Sequence, residues 1–269
     1  MKRALWRNLT GMREVAGAFA VGFSFATAAC VITLGGMSAC RLTFLLLALA
    51  AHLSPAQQSA APPPQEVIAK LMEAQDLKNA GKFTDALEKL DEVEALAPDT
   101  PHLPNLRGTI YLAPPLRDLD KAAALFDEAI RRSPGDMVPL FHRAEVHYVR
   151  HDWQAAHAAF EKLLADFPKT PMAIRHMILF KRLVCEVMLE RLDAAEKTLK
   201  DSFTFMDDTA AYYYAQAALA FGRKDEAKAK EWLGRAEGIY KKEDRTTYED
   251  SLMEARWLPN IGLPVMEKK

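Results

Sequence analysis

Apolar positions along this 269-residue chain fall into two regimes. Near the N-terminus they are continuous: residues 15–40 hold no charged side chain, Arg41 interrupts, and residues 42–51 form a second apolar run. From about residue 67 onward they are spaced, with small and large apolar residues alternating between charged neighbours, which predicts helices that bury one face. Between the regimes, Gln57, Gln58, Ser59, Ala60, Ala61, Pro62, Pro63 and Pro64 show no periodicity and predict a tether.

The continuous runs admit three export readings. Lys2, Arg3, Arg7 and Arg13 flank a run long enough for the roughly 20 residues a bilayer requires, so a membrane helix beginning near Val15 is one of them. With translation starting at Met37, Arg41 becomes a charged n-region, residues 42–52 the apolar h-region, and Ser54, Pro55 and Ala56 the cleavage site. In the third, Met37, Ser38, Ala39 and Cys40 resemble a lipobox with Met in place of Leu, against which the apolar run after Cys40 argues. The second run is too short to span a bilayer, which favours the Met37 start. Residues 1–36 are then an extension, 37–56 a signal peptide and 57–66 a Pro-rich linker. The body of the chain is expected to be exported, periplasmic or otherwise in the cell envelope, the alternative being a membrane-anchored protein with a cytoplasmic body.

Within the spaced regime the same marks return. From Met137 they are Ala144, Trp153, Ala156, Phe160, Leu163 and Pro168; upstream they are Ala74, Gly81, Phe83, Ala86, Leu90 and Pro98, then Gly108, Tyr111, Ala122, Phe126, Ala129 and Pro134. Small residues let two helices approach, a large one fills the gap beside them, and proline ends the second helix. The spacing resembles the tetratricopeptide repeat, a helix, a turn and a second helix in about 34 residues. Two weaker units follow, one from Pro171 with Ala195 and Leu199, the other with Ala215, Gly222, Ala229, Leu233 and Ala236. Pro114 and Pro115 should lengthen the turn of the second unit. The resemblance implies an all-α fold, a right-handed α-solenoid of about five repeats over residues 67–240. Residues 241–269 are expected to cap it with a helix bearing Tyr248, Leu252, Ala255 and Trp257, then a tail.

Charge changes little in this picture. Thirty-five Lys and Arg balance 36 Asp and Glu, a net charge of −1, so no whole-chain field favours nucleic acid or a membrane surface. Of the three cysteines only Cys185 lies outside the N-terminal runs, which excludes a disulfide framework and predicts a buried, inert thiol. His142, His147, His151 and His157 are the one cluster with metal-ligand chemistry, but the repeat register turns His147 inward and puts His151 in the turn, so their rings should diverge. Neither a phosphate-binding loop nor a nucleophile with a partnered base is visible, so no enzyme, cofactor or metal is expected.

By resemblance, the first helices of successive repeats should line a concave groove. The register assigns Asn105, Thr109, Phe141, Glu145, Tyr148, Arg175, Arg182, Tyr212 and Gln216 to it, with Tyr214 in the core. That mixture of rings, amides and arginines suits an extended peptide. The expected function is a protein–protein interaction scaffold of the bacterial cell envelope, binding a protein or peptide partner. The alternative is a permanent structural or assembly subunit of an envelope complex. No nucleic-acid partner is expected, and membrane association only through the N-terminal segment.

Overall fold

The computed structural model describes residues 65–259, so the N-terminal extension, the signal peptide and nearly all of the linker lie outside it. The described residues form eleven α-helices and a short 3-10 turn, with no strand. The helices are α1 (Gln65–Asn79), α2 (Phe83–Leu96), α3 (Leu103–Leu112), α4 (Leu119–Arg132), α5 (Met137–Val149) and α6 (Trp153–Asp166). There follow α7 (Met172–Met188), α8 (Leu192–Ser202), α9 (Ala211–Gly222), α10 (Glu226–Ile239) and α11 (Lys242–Glu254). The first ten make five antiparallel pairs, an α-solenoid, as the recurring marks predict.

Four of the five pairs turn by the same local device. Gly81, His151, Glu190 and Lys224 take positive φ values of 78°, 60°, 60° and 62°. The residue after each donates its backbone N–H to a carbonyl five positions back, for example Asp152 to His147 and Arg191 to Glu186, both at 2.9 Å. This satisfies carbonyls that a helix end leaves open, and only Gly81 adopts the left-handed backbone without steric cost. In the second pair the 3-10 turn Pro114–Leu116 takes the place of that device, lengthening the turn as Pro114 and Pro115 imply. Several helices then start on an aspartate cap: Asp118, Asp152 and Asp225 accept from the backbone N–H of Lys121, Ala155 and Lys228.

Packing within the pairs follows the alternation of small and large. Ala74, Ala86, Ala122, Ala144, Ala156, Ala195, Ala215 and Ala229 are buried, and Phe126, Phe160 and Phe180 fill the spaces beside them. Gly108 shows how tight this is, because a Cβ there would lie 2.6 Å from the Phe126 ring. Cys185 is buried and unpaired, and burial pushes its thiol pKa up, so it stays protonated.

First helices of neighbouring pairs touch one another, α1 with α3, α3 with α5 and α7 with α9, which puts them on the inner, shorter arc. The C-terminal helix is present, but it does more than cover the last pair. Besides α10 it packs on α7 and α9, so α11 lies inside the arc.

Candidate functional site

The inner surface is built from α5, α7 and α9, and α11 crosses all three. Tyr248 of α11 stacks on Tyr214 with ring centres 5.4 Å apart and meets Phe180 edge-on at 5.2 Å. Leu252 is fully buried in the same apolar cluster. Polar contacts continue the line. Tyr148 donates its hydroxyl proton to the Ser251 carbonyl at 2.8 Å, and Lys181 Nζ donates to Ser251 Oγ at 3.0 Å. At the far end Arg117 grips the Glu254 carboxylate through both guanidinium nitrogens, at 2.5 and 3.1 Å, although 137 residues separate them. His151 Nε2 donates to the Glu254 backbone carbonyl at 2.8 Å.

Why those side chains stand there is local. Lys181 of α7 is only 6% exposed, and a buried ammonium requires a partner. Glu145 of α5 supplies it at 3.2 Å, with the Tyr148 ring 4.7 Å below the ammonium. Tyr148 is fully buried, edge-on to Trp153 at 5.2 Å, and burial pushes its phenol pKa well above the ordinary range. His151 stacks on Trp153 at 4.9 Å, which aims its Nε2. Burial likewise pushes the Tyr248 phenol up to about 12.

The nine residues assigned to the groove therefore separate. Glu145 and Tyr148 take part in the surface under α11, Tyr148 as a covered floor rather than an open contact. Asn105 is buried instead, its Oδ1 accepting from His142 Nδ1 at 2.9 Å. Phe141 is buried in the core against Phe160. Arg182 turns to α8, donating to Thr198 Oγ1 at 2.9 Å, because the helical register carries it to the side away from Lys181 and α11. Gln216 donates to the Tyr212 hydroxyl at 3.1 Å, and Tyr212 faces Trp232 of α10 at 6.0 Å, away from the residues that meet α11. Thr109 stays partly exposed beside Lys78 Nζ at 3.2 Å, and Arg175 is partly exposed near the start of α7.

The histidines do diverge. His142 is buried, His147 lies beside Arg143 and Asp152, His151 holds α11, and His157 meets Glu186 at 3.3 Å. The inward position expected for His147 belongs to Tyr148, one residue on. Burial, reinforced by Lys78 and Lys181, pushes the His142 pKa down to about 3, so it is neutral in the fold. Among the described residues no three His, Cys, Asp or Glu side chains are placed to share a metal ion. The decisive residues missed from sequence are Arg117, Lys181, Ser251 and Glu254. The one signal lay in Lys181 and Arg182, adjacent charges inside an apolar run, of which Lys181 is the one that meets α11.

Residues 71–136, from α1 to the turn after α4, match the family model described as tetratricopeptide repeat. A tetratricopeptide repeat protein from Parabacteroides merdae ATCC 43184 superposes with a TM-score of 0.54 at 16% identity, covering 71% of each chain. PilW, a type IV pilus biogenesis factor, gives 0.55 at 18% identity, covering 72% of this chain and 89% of its own. PilF of Pseudomonas aeruginosa gives 0.53 at 10% identity, covering 71% and 91%. No curated protein matches the chain by sequence. Residues 71–136 thus match the tetratricopeptide-repeat model, and the described residues share the fold of solved tetratricopeptide-repeat proteins.

Proposed function

We propose that this protein is a non-enzymatic scaffold of the cell envelope that takes a segment of a partner protein into the inner arc of its solenoid. The observation that carries the reading is that this arc already accommodates a helix. Its rings, ammonium and guanidinium are set at hydrogen-bonding and stacking distance from α11, which is how a protein segment would be held. The envelope location rests on the apolar runs at residues 15–40 and 42–51, and similarity of fold to a pilus biogenesis factor is compatible with it. None of the described helices is long and apolar enough to cross a membrane.

Photo-crosslinking in cells tests this. A photoreactive residue at Thr109 or Glu145 on the inner arc should capture a discrete partner, whereas one at Lys162 on α6 should not. Capture only from Lys162 would move the binding surface to the outer helices and sink the reading. Sequencing the mature N-terminus of the same sample checks export.

A second reading, a permanent assembly subunit, is favoured by one edge of the solenoid. Met172, Phe205, Met206 and Ile239 are 61%, 66%, 79% and 59% exposed, and all sit where the fourth and fifth pairs begin or end. Large exposed apolar side chains gathered at one edge suit a lasting interface. Copurification that persists through high salt and dilution would favour this reading over a transient scaffold.

A further inference from the structure

Polar groups of three separate helix pairs converge on a single short helix. Arg117 comes from the turn of the second pair, Tyr148 and His151 from the third, Lys181 from the fourth, and all of them meet Ser251 or Glu254. Three of them are also held from within the solenoid: Lys181 by Glu145 of the third pair, and Tyr148 and His151 by Trp153. Those three therefore have partners whether or not α11 lies on them, whereas Arg117 takes its partner, Glu254, from α11.

Attachment of α11 is, by contrast, confined to one face. Of its thirteen residues only Tyr248, Ser251 and Leu252 are buried, whereas α7, with seventeen, buries residues along its whole length. The outer side of α11 is polar, while on the inner side Arg245 donates to the Tyr214 hydroxyl at 3.5 Å and that hydroxyl donates to Glu249 at 2.9 Å. Tyr240 and Lys241 are the only residues between it and α10, and both have extended backbones, so rotation there would swing the helix off the arc. At its end Glu254 is held by charge and hydrogen bonds, and just beyond it Ala255 is buried and Trp257 stacks on Phe221 at 5.5 Å.

We propose that α11 is a resident, displaceable ligand of the inner arc, and that the partner which replaces it is an amphipathic helix with the same face. That face is an aromatic residue, a small polar residue and Leu three and four positions on, and an acid two positions after the Leu, as Tyr248, Ser251, Leu252 and Glu254 stand in α11. This rests on the reading of the inner arc as the partner site. The acid pairs with Arg117, the aromatic residue packs on Phe180 and Tyr214, the Leu enters the apolar cluster, and the small residue lets the helix backbone reach Tyr148 and Lys181.

The test uses the full chain and a fluorescent peptide spanning residues 241–258. Glu254→Arg sets two cations against each other and opens the arc, Leu252→Ala opens it by a different route, and Arg117→Glu combined with Glu254→Arg restores the pair. A ligand sees only the fraction of protein in the open state, so both single variants should bind the peptide at least about tenfold tighter than the wild type. The double variant, probed with the matching Glu254→Arg peptide, should return to wild-type affinity, and a peptide with Leu252→Ala should bind none of them appreciably. Equal affinity across the wild type and both single variants would overturn the proposal. Tight peptide binding by the opened variants, with no partner captured from Thr109 or Glu145 in cells, would uphold the resident ligand and sink the scaffold reading.

Discussion

His142 shows how much one buried side chain can contribute to pH dependence. Its ring lies between Phe126 and Phe141 at 5.3 and 5.7 Å, with Asn105 accepting its Nδ1 proton. In the fold its pKa is depressed to about 3 from an ordinary 6.5, so the unfolded chain binds a proton there sooner than the folded one. The associated stability is therefore fully present above pH 6.5 and drains away as pH falls toward 3. Between pH 7 and pH 5 this one group should account for a loss of about 2 kcal/mol. Burial depresses His147 and His176 in the same direction and steepens the slope. Urea denaturation at both pH values checks this, with His142→Gln as the control. Glutamine keeps a donor for Asn105 without the titration, so the difference between the two pH values should shrink by about 2 kcal/mol. An unchanged slope would place the acid sensitivity elsewhere.

At the scale of elements, the helix pair is where the chain's pattern is most legible. Ala122 with Phe126 and Ala156 with Phe160 repeat a local packing rule, and local rules survive being read one repeat at a time. Gly108→Ala tests the rule at its tightest point, since the new methyl would press on a fully buried Phe126. The expected cost is about 1–3 kcal/mol, read from the denaturant midpoint, because overpacking forces a side chain off its rotamer. Asp152→Ala should cost about 1 kcal/mol by removing the cap from α6, without moving the helix. The inner surface was legible only in part, for a physical reason. Glu145 and Tyr148 fall on it by register, but Arg117 and Glu254 meet across the whole solenoid, and no local periodicity reports such a pair. Register also slips where helices lengthen: Tyr148 takes the inward place expected of His147, and Arg182 leaves the arc for α8.

For the molecule as a whole, the solenoid is held by neighbour-to-neighbour contacts, and its apolar interior divides accordingly. One cluster runs from Val67 to Ile110, another from Met137 to Ala255, and a small group of Ala122, Ala123, Phe126 and Val146 lies between them. A quasi-linear fold of this kind unfolds as one unit only while each interface is stronger than the difference in stability between the segments it joins. The larger cluster includes α11, which ties the second, third and fourth pairs together through Arg117, Tyr148 and Lys181; the N-terminal pair has no such tie among these contacts. Phe126 is thus the joint. Phe126→Ala should cost about 3–5 kcal/mol locally, and it should also split denaturation into two steps. Hydrogen exchange would then show α1, α2 and α3 opening together at denaturant concentrations where α7 and α9 remain protected. A single transition, with all helices losing protection at one midpoint, would mean that the joint is stronger than either half and that the two clusters act as one core.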